Sequence, residues 1–468
     1  MESKEVRIPI LIVTTLSFVI IAFSSASLNI AIPTIRTALS LDAITENWII
    51  ISSLLITAML LVPAGKVADI YGRKKVFTIG VGIFAFSLVF LSISTHSAML
   101  IVFRFVQGIG SALIFATGIA ILSSVFPPEK TGVVFGINVA GIYTGLMIGP
   151  LLGGILTQHL GWKSVFWIGI PFLVIILAMI FIMIKGEWYG EKEQKLDYVG
   201  IGIYGLILLS LMYGFSLLPE LRSIWFILAG IALIPVFVFW ERRTKTPVLD
   251  FKLFTRSRYF SISNFAAIFF YISIAAIGYL ISIYLQNIKN YTPQIAGTIL
   301  IAQYIFQALF SPVAGYISDR IEPRIIASVG SGLTVVGLLI FSFINEGTHI
   351  ATIIIGLIFM GTGIAIFSSP NTKAIMSAVE KEAYGSGSAI RATMRLIGQN
   401  MGFAIVLILF AIFIGRVEIT PTVYPELIKS TNIAFRIASA AAFIGLILSI
   451  FRGNSSEKNT KVKLSEEN

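Results

Sequence analysis

Cysteine is absent from this chain of 468 residues, and histidine occurs only three times. The first absence removes any disulfide framework, thiolate nucleophile or cysteine metal site. His96, His159 and His349 stand far apart in the sequence, so no histidine cluster is in place for a metal, and neither a metal nor another cofactor is expected. Charge is equally scarce. Asp, Glu, Lys and Arg make up 12% of the residues, where a soluble globular domain carries about 25%. No G-x-x-x-x-G-K-[ST] stretch occurs, which removes a P-loop ATPase as the source of energy. Carboxylates are missing from the middle of every long apolar run. Asp42, Glu46, Glu220, Glu346 and Glu418 lie near one set of ends, and Asp69, Glu129, Asp197, Asp319 and Glu322 near the other.

Apolar residues are abundant: 56% of the chain is hydrophobic, and the mean hydropathy is +0.92. A chain this apolar has lipid as its solvent, and each crossing helix needs about 20 apolar residues. Fourteen such runs are present, centred near Val19, Thr57, Ala85, Leu113, Thr144, Ile175, Ile207, Ala232, Tyr271, Gln307, Val335, Leu357, Ala404 and Ala442. The run from Ile8 to Pro33 is too long for a signal-peptide core and reads as the first span. The fold class expected is an all-α membrane protein with 14 transmembrane helices.

The net charge of +11 raises the question of nucleic acid. The basic residues instead separate the apolar runs, where they set orientation across the bilayer. With an intracellular N-terminus, Arg36, Lys163, Arg222, Lys289, Arg416, Lys429 and Arg436 fall outside, and Arg104 falls within a span. All other Lys and Arg residues, including Arg73, Lys74, Lys75, Arg242, Arg243, Arg391 and Arg395, fall in segments read as cytoplasmic. Both termini are then cytoplasmic in a plasma (inner) membrane, and nucleic acid is not an expected partner.

The chain also repeats itself. Ala64-Gly65-Lys66-Val67-Ala68-Asp69 closes the second span, and Ala314-Gly315-Tyr316-Ile317-Ser318-Asp319 closes the tenth, with Pro63 and Pro312 just upstream. Both read A-G-x-x-small-D and end the second helix of a six-helix block. Parallel half-repeats of this kind place a substrate site between the halves near the midplane. The expected organisation is a six-helix bundle over 1–185, a linker with two further helices over 186–257, a second six-helix bundle over 258–452 and a polar tail over 453–468.

Three motifs carry chemistry. In the first, Gly65, Asp69, Gly72, Arg73 and Lys74 surround a tight interhelical connection. Gly permits close backbone approach, and Asp69 can bond a helix N-terminus or pair with an Arg, which suits a latch on one conformation. An ordinary basic loop would use the same residues. In the second, Arg104, Gln107 and Gly108 sit within the fourth span. A membrane-embedded Arg costs roughly 2.5 kcal/mol or more, so it is expected to face the central cavity with Gln107 on the same face. The bland alternative is an Arg snorkelling to the nearby interface. In the third, Gly145, Gly149, Pro150, Gly153 and Gly154 place small residues every four positions of the fifth span, which suits close helix packing, while Pro150 releases a backbone carbonyl.

In this order and on these helices, the motifs resemble the major facilitator superfamily, and within it the fourteen-helix drug:proton antiporter branch. Gly161-Trp162-Lys163-Ser164-Val165-Phe166-Trp167-Ile168-Gly169-Ile170-Pro171 is similar to that branch's entry to helix 6. Ser369-Pro370-Asn371-Thr372 through Arg395-Leu396-Ile397-Gly398-Gln399 is similar to its link between the last helices. The resemblance implies a secondary transporter, not an enzyme, that works by alternating access as a monomer. It implies export of small amphiphilic or drug-like molecules in exchange for protons, with Arg104 and Gln107 implicated in proton transfer and the glycine run marking exporters. One position departs from the pattern: Ser24 stands where the branch usually has Asp in helix 1, although Asn29-Ile30-Ala31-Ile32-Pro33 matches the second half of the same helix-1 pattern.

Polar residues within spans mark candidate substrate contacts: Asn29, Asn138, Tyr143, Asn264, Tyr271, Gln303, Gln307 and Gln399. Each could equally be interhelical glue worth about 0.6 kcal/mol. Glu46 and Asp42 are the nearest available proton sites, with solvated loop charges as the simpler reading. A solute importer of the same fold, a membrane-embedded enzyme and a transport-dead sensor are the alternatives. The third motif opposes the first, the lack of a nucleophile–base pair or metal cluster at membrane depth opposes the second, and the lack of a long soluble domain opposes the third.

Overall fold

Lipid offers no hydrogen bonds to the peptide backbone, so each long apolar run must satisfy its own N–H and C=O groups as a helix. The computed structural model describes residues 4–190, 196–218, 220–244, 247, 252–318, 320–379, 384–415 and 417–453. Fourteen helical stretches among them are long and apolar enough to cross a bilayer. Every apolar centre read from the sequence falls in a separate one. Asp319, Arg416 and the tail after Gly453 lie outside the described residues.

The first bundle comprises α1 (Lys4–Leu39), α2 (Ala43–Tyr71), α3 (Arg73–Ser92), α4 (Ser97–Val125), α5 (Pro128–Leu160), α6 (Ser164–Trp167) and α7 (Gly169–Met183). The short α6 and α7 form one span, broken at Ile168. Helices α8 (Tyr198–Ser216) and α9 (Arg222–Arg243) pair with each other. After α10 (Lys252–Arg256) comes the second bundle: α11 (Arg258–Ile274), α12 (Ile277–Ile283), α13 (Pro293–Ser318), α14 (Pro323–Phe341), α15 (Ile350–Ser377), α16 (Tyr384–Phe413) and α17 (Tyr424–Phe451). A π-helical turn over Tyr284–Ile288 continues α12, so that Arg258–Ile288 is one span interrupted at Ala275 and Ala276.

Within the first bundle, α1 packs along α5, α3 along α4, and α4 also along α2. The second bundle repeats this with α14 on α15, α13 on α15, and α11 on α16 and α17. Two seams join the bundles, α5 with α13 and α2 with α16. Helices α8 and α9 touch the rest mainly through α8, which meets α2 and α16, and Tyr204 donates to the Ala58 carbonyl at 3.3 Å. The molecule has two ends: a basic end bearing Arg73–Lys75, and a far end bearing Arg36 and Glu46.

Two arginines stand at the edge of a span. The sequence groups Arg391 and Arg395 with the cytoplasmic segments. They are the second and sixth residues of the crossing stretch Ile390–Phe413 in α16, so the helix carries them from the basic segment into the edge of that span.

Candidate transport site

At the far end, the helix connections bring the two bundles into contact. Arg36, in the last turn of α1, is 4% exposed, and Glu46, near the start of α2, is fully enclosed. Their nearest atoms, Nη1 and Oε2, lie 3.4 Å apart. The other guanidinium nitrogen donates to Asn287 Oδ1 in the second bundle. The π-helical turn explains how that partner reaches across. Its wider register brings Asn287 to Arg36, and Gln286 Nε2 donates to the Ile30 carbonyl at 3.0 Å. The enclosed Tyr279 hydroxyl of α12 neighbours Glu46, and neither that hydroxyl nor Glu46 Oε1 has another partner. His159 and Gln294 add a contact of 3.4 Å at the same end. Glu46 is therefore no solvated loop charge. Asp42 has a structural task, because its carboxylate caps α2 by accepting the Ile44 and Thr45 amides, each at 2.9 Å.

The glycine run of α5 explains the seam behind this lock. A Cβ at Gly145 would meet the Val19 carbonyl oxygen, one at Gly149 would lie 2.6 Å from Ala26 Cβ, and one at Gly153 would lie 2.7 Å from Ser27 Cβ. The stripe therefore seats α1 at backbone distance. Gly154 faces the other way: a Cβ there would come within 2.5 Å of the Pro293 carbonyl oxygen in α13. Gly297 of α13 returns the contact against the Pro150 carbonyl. One helix thus holds its own bundle on one side and the opposite bundle on the other.

Arg104 does not line an open cavity. It is 4% exposed, and it turns onto α2, where its Nε donates to the Ile49 carbonyl at 2.9 Å and its Nη2 to the Ile50 carbonyl at 3.4 Å. Its Nη1 donates to Gln107 Oε1, and Gln107 Nε2 donates to Ser24 Oγ at 3.1 Å. Gly108 lets α2 approach, since a Cβ there would lie 2.5 Å from the Ser53 carbonyl oxygen. The motif is a knot tying α4 to α1 and α2, and Ser24 is one of its strands.

At the basic end, Asp69 pairs with Arg73 at 2.7 Å, one of its two expected partners. Arg73 Nη1 also donates to the Ala120 carbonyl at 3.1 Å. The loop is clasped by the segment after α7. The Arg73 amide donates to the Trp188 carbonyl at 2.8 Å, and the Gly190 amide donates to the Asp69 carbonyl at 3.1 Å. Glu187 accepts the Lys74 amide at 2.7 Å and the Lys75 amide at 3.2 Å, so it caps α3 from a distant part of the chain. Gly72, at φ +107°, provides the turn a side chain would resist. A Cβ at Gly65 would meet nothing within 4 Å.

The candidate substrate contacts do not all meet. Tyr143 of α5 reaches Gln307 and Ser311 of α13, with Tyr271 of α11 and Arg395 of α16 facing it. Asn29 of α1 approaches Gly278 of α12, just past the break in that span and close to Tyr304. Gln303, 6% exposed, leaves its Oε1 without a partner, and Gln399 is half-buried. Asn138 and Asn264 bond back to their own helices, to the Val134 carbonyl at 3.2 Å and the Phe260 carbonyl at 2.9 Å. Arg391 and Arg395 escape a reading of the sequence because charge near a span end looks like a topology signal. Their helical spacing of four, followed by the small residues Gly398 and Gly402, is the pattern that points inward.

The sequence profile of the Major Facilitator Superfamily matches residues 14–258 and 263–467. The riboflavin transporter RibZ of Clostridioides difficile is 26% identical over 96% of this chain and 98% of its own length. The multidrug resistance protein Stp of Mycobacterium tuberculosis is 29% identical over 84% of this chain and 74% of its own. The tetracenomycin C resistance and export protein of Streptomyces glaucescens is 26% identical over 87% and 77%. Among solved structures, a bacterial homologue of the lysosomal transporter Spinster, in an inward-facing and unoccupied conformation, superimposes with a TM-score of 0.70 at 16% identity over 96% of this chain and 98% of that one. A D-xylose–proton symporter does so with a TM-score of 0.66 at 13% identity over 95% of this chain and 97% of that one.

Proposed function

We propose that this chain, which belongs to the Major Facilitator Superfamily, is a secondary active exporter of small amphiphilic molecules that exchanges them for protons by alternating access. The observation that carries this reading is the double-sided glycine face of α5, where Gly145, Gly149 and Gly153 seat α1 and Gly154 seats α13. The resemblance associates that run with exporters, and its position on the seam suits a surface on which the bundles turn. Relatives that include a multidrug resistance protein and an antibiotic export protein support the same direction.

With both termini in the cytoplasm, the far end faces outward. The contacts of Arg36, Asn287, Gln286 and Gln294 then close the outer side, and the molecule stands ready to load from within. Glu46 is the carboxylate we assign to coupling. A proton on it removes the charge that pairs with Arg36 and loosens a lock between the bundles. Ser24 cannot carry that proton as the usual Asp would, so the coupling charge has moved from helix 1 to the outer end of helix 2.

The test is efflux of a lipophilic dye from proteoliposomes under an imposed proton gradient. Wild-type protein is expected to transport with the gradient. Glu46→Gln is expected to transport at a rate independent of it, and Arg104→Ala to lose gradient-driven transport. Wild-type flux indifferent to the gradient would overturn the proton coupling.

A further inference from the structure

Arg391 and Arg395 share one face of α16, four residues apart, near the start of its crossing stretch, and an enclosed guanidinium without a partner is costly. Like charges at this spacing repel each other. Among the described residues the groups facing Arg391 are Tyr271, Arg395 and Tyr143, none of them a carboxylate. Its Nη1 makes one long contact, 3.4 Å to Thr372 Oγ1, and its Nε is enclosed without a partner. Arg395 has no hydrogen-bonded partner among the described residues, and its guanidinium carbon lies 5.4 Å from the centre of the Tyr271 ring.

The helices fix this arrangement. Cβ atoms at Gly398 and Gly402 would lie 2.7 Å and 2.5 Å from the Ile268 and Ile272 carbonyl oxygens, so α16 is drawn against the backbone of α11. That approach sets Arg395, one turn before Gly398, on the ring of Tyr271. Tyr143 closes the group from the opposite bundle, and Gln307 lies beside it. Two cations, two aromatic rings and one amide therefore meet at the seam.

We infer that this cluster recognises a planar aromatic anion, its carboxylate bridging Arg391 and Arg395 and its ring system lying against Tyr143 and Tyr271. Guanidinium geometry matches a carboxylate through paired N–H donors, and the unpartnered Nε of Arg391 is one of them. An organic cation would meet two like charges in a medium of low dielectric and find no counter-charge among the described residues of the cluster. The inference rests on the transport reading only in placing the substrate at the seam between the bundles. It narrows the amphiphilic substrate to one that is negatively charged.

The experiment compares two xanthene dyes of similar shape and opposite charge, fluorescein as the anion and rhodamine 6G as the cation. Their binding to full-length protein in detergent micelles is followed by fluorescence anisotropy. Wild-type protein is expected to bind fluorescein at least tenfold more tightly than rhodamine 6G. Replacing both arginines (Arg391→Gln with Arg395→Gln) is expected to weaken fluorescein at least tenfold and leave rhodamine 6G unchanged or tighter. Arg395→Lys, which keeps the charge and loses the planar donor fork, is expected to fall between. Preference for rhodamine 6G, binding of neither dye to folded wild-type protein, or fluorescein affinity unaffected in a folded double variant would each overturn the assignment. If the double variant fails to fold, the charge preference of the wild type decides alone. Micelles carry no gradient and no direction, so a failure of export in vesicles leaves this result standing, and the reverse also holds.

Discussion

Ser24, Gln107 and Arg104 form a three-member chain in which each polar group depends on the next. Ser24 is 4% and Gln107 1% exposed, so a donor left without an acceptor there finds no water. Ser24→Ala removes the acceptor of Gln107 Nε2 and leaves the remainder in place. The expected loss is about 1 kcal/mol, and up to roughly 3 kcal/mol if the amide finds no substitute, read as a lower unfolding transition in detergent. At this scale the sequence is legible in part. Helical spacing identifies Arg104 and Gln107 as a pair, but they face the α2 carbonyls instead of a cavity. That direction depends on the approach of α2 at Gly108, a tertiary fact that helical spacing does not contain. Arg391, Arg395 and Arg452 read as cytoplasmic charge or as the edge of the tail. Arg452 is in fact 2% exposed, with Nη1 donating to Asn371 Oδ1 at 3.0 Å. A basic residue near the end of a span carries the same letter whether it anchors the helix to the interface or turns inward between helices.

Helix α5 shows what a run of small residues does at the scale of an element. The four-residue spacing announces a close packing face, but not which neighbours use it. The structure assigns α1 to Gly145, Gly149 and Gly153, and α13 to Gly154. Gly149→Val is expected to destabilise by about 1–3 kcal/mol, because its Cβ alone would lie 2.6 Å from Ala26 Cβ and 3.2 Å from the Phe23 carbonyl oxygen. The measurement is thermal unfolding of the variant in detergent, with gradient-driven efflux lost in parallel. Glu187 is the opposite case, a residue without a signature. It caps α3 from more than a hundred positions away in the chain, and a lone Glu in a linker gives no sign of such a task. Breaks in helices are similarly hidden. The Pro at 171 is near the α6–α7 break, and Gly278 follows the interruption at Ala275 and Ala276 by two residues, but a lone Gly in a glycine-rich chain does not by itself announce a break.

For the molecule as a whole, hydropathy suffices to count the spans, because bilayer thickness imposes one length on all of them. What the count does not contain is the state of the assembly. That depends on side chains from distant spans, such as Arg36 and Asn287, meeting at one end. The contacts there predict a specific motion. Spin labels at positions 159 and 294, introduced as cysteines into a chain that has none of its own, are expected to report a short distance in the resting protein. A longer population is expected to grow on acidification, as protonated Glu46 releases Arg36; double electron–electron resonance would read both. An unchanged distance across pH would separate the lock from the proton.

The division of labour along α5 has a further consequence for how such a protein diversifies. Tyr143 and the glycine run lie on one helix but are expected to tolerate change very differently, since one faces the proposed ligand site and the other meets backbone. Variants with altered substrate range should therefore accumulate at Tyr143 and its partners Tyr271, Gln307, Arg391 and Arg395. Positions 145, 149, 153 and 154 should remain almost closed to replacement, so that new specificities arise on a bearing surface that cannot drift.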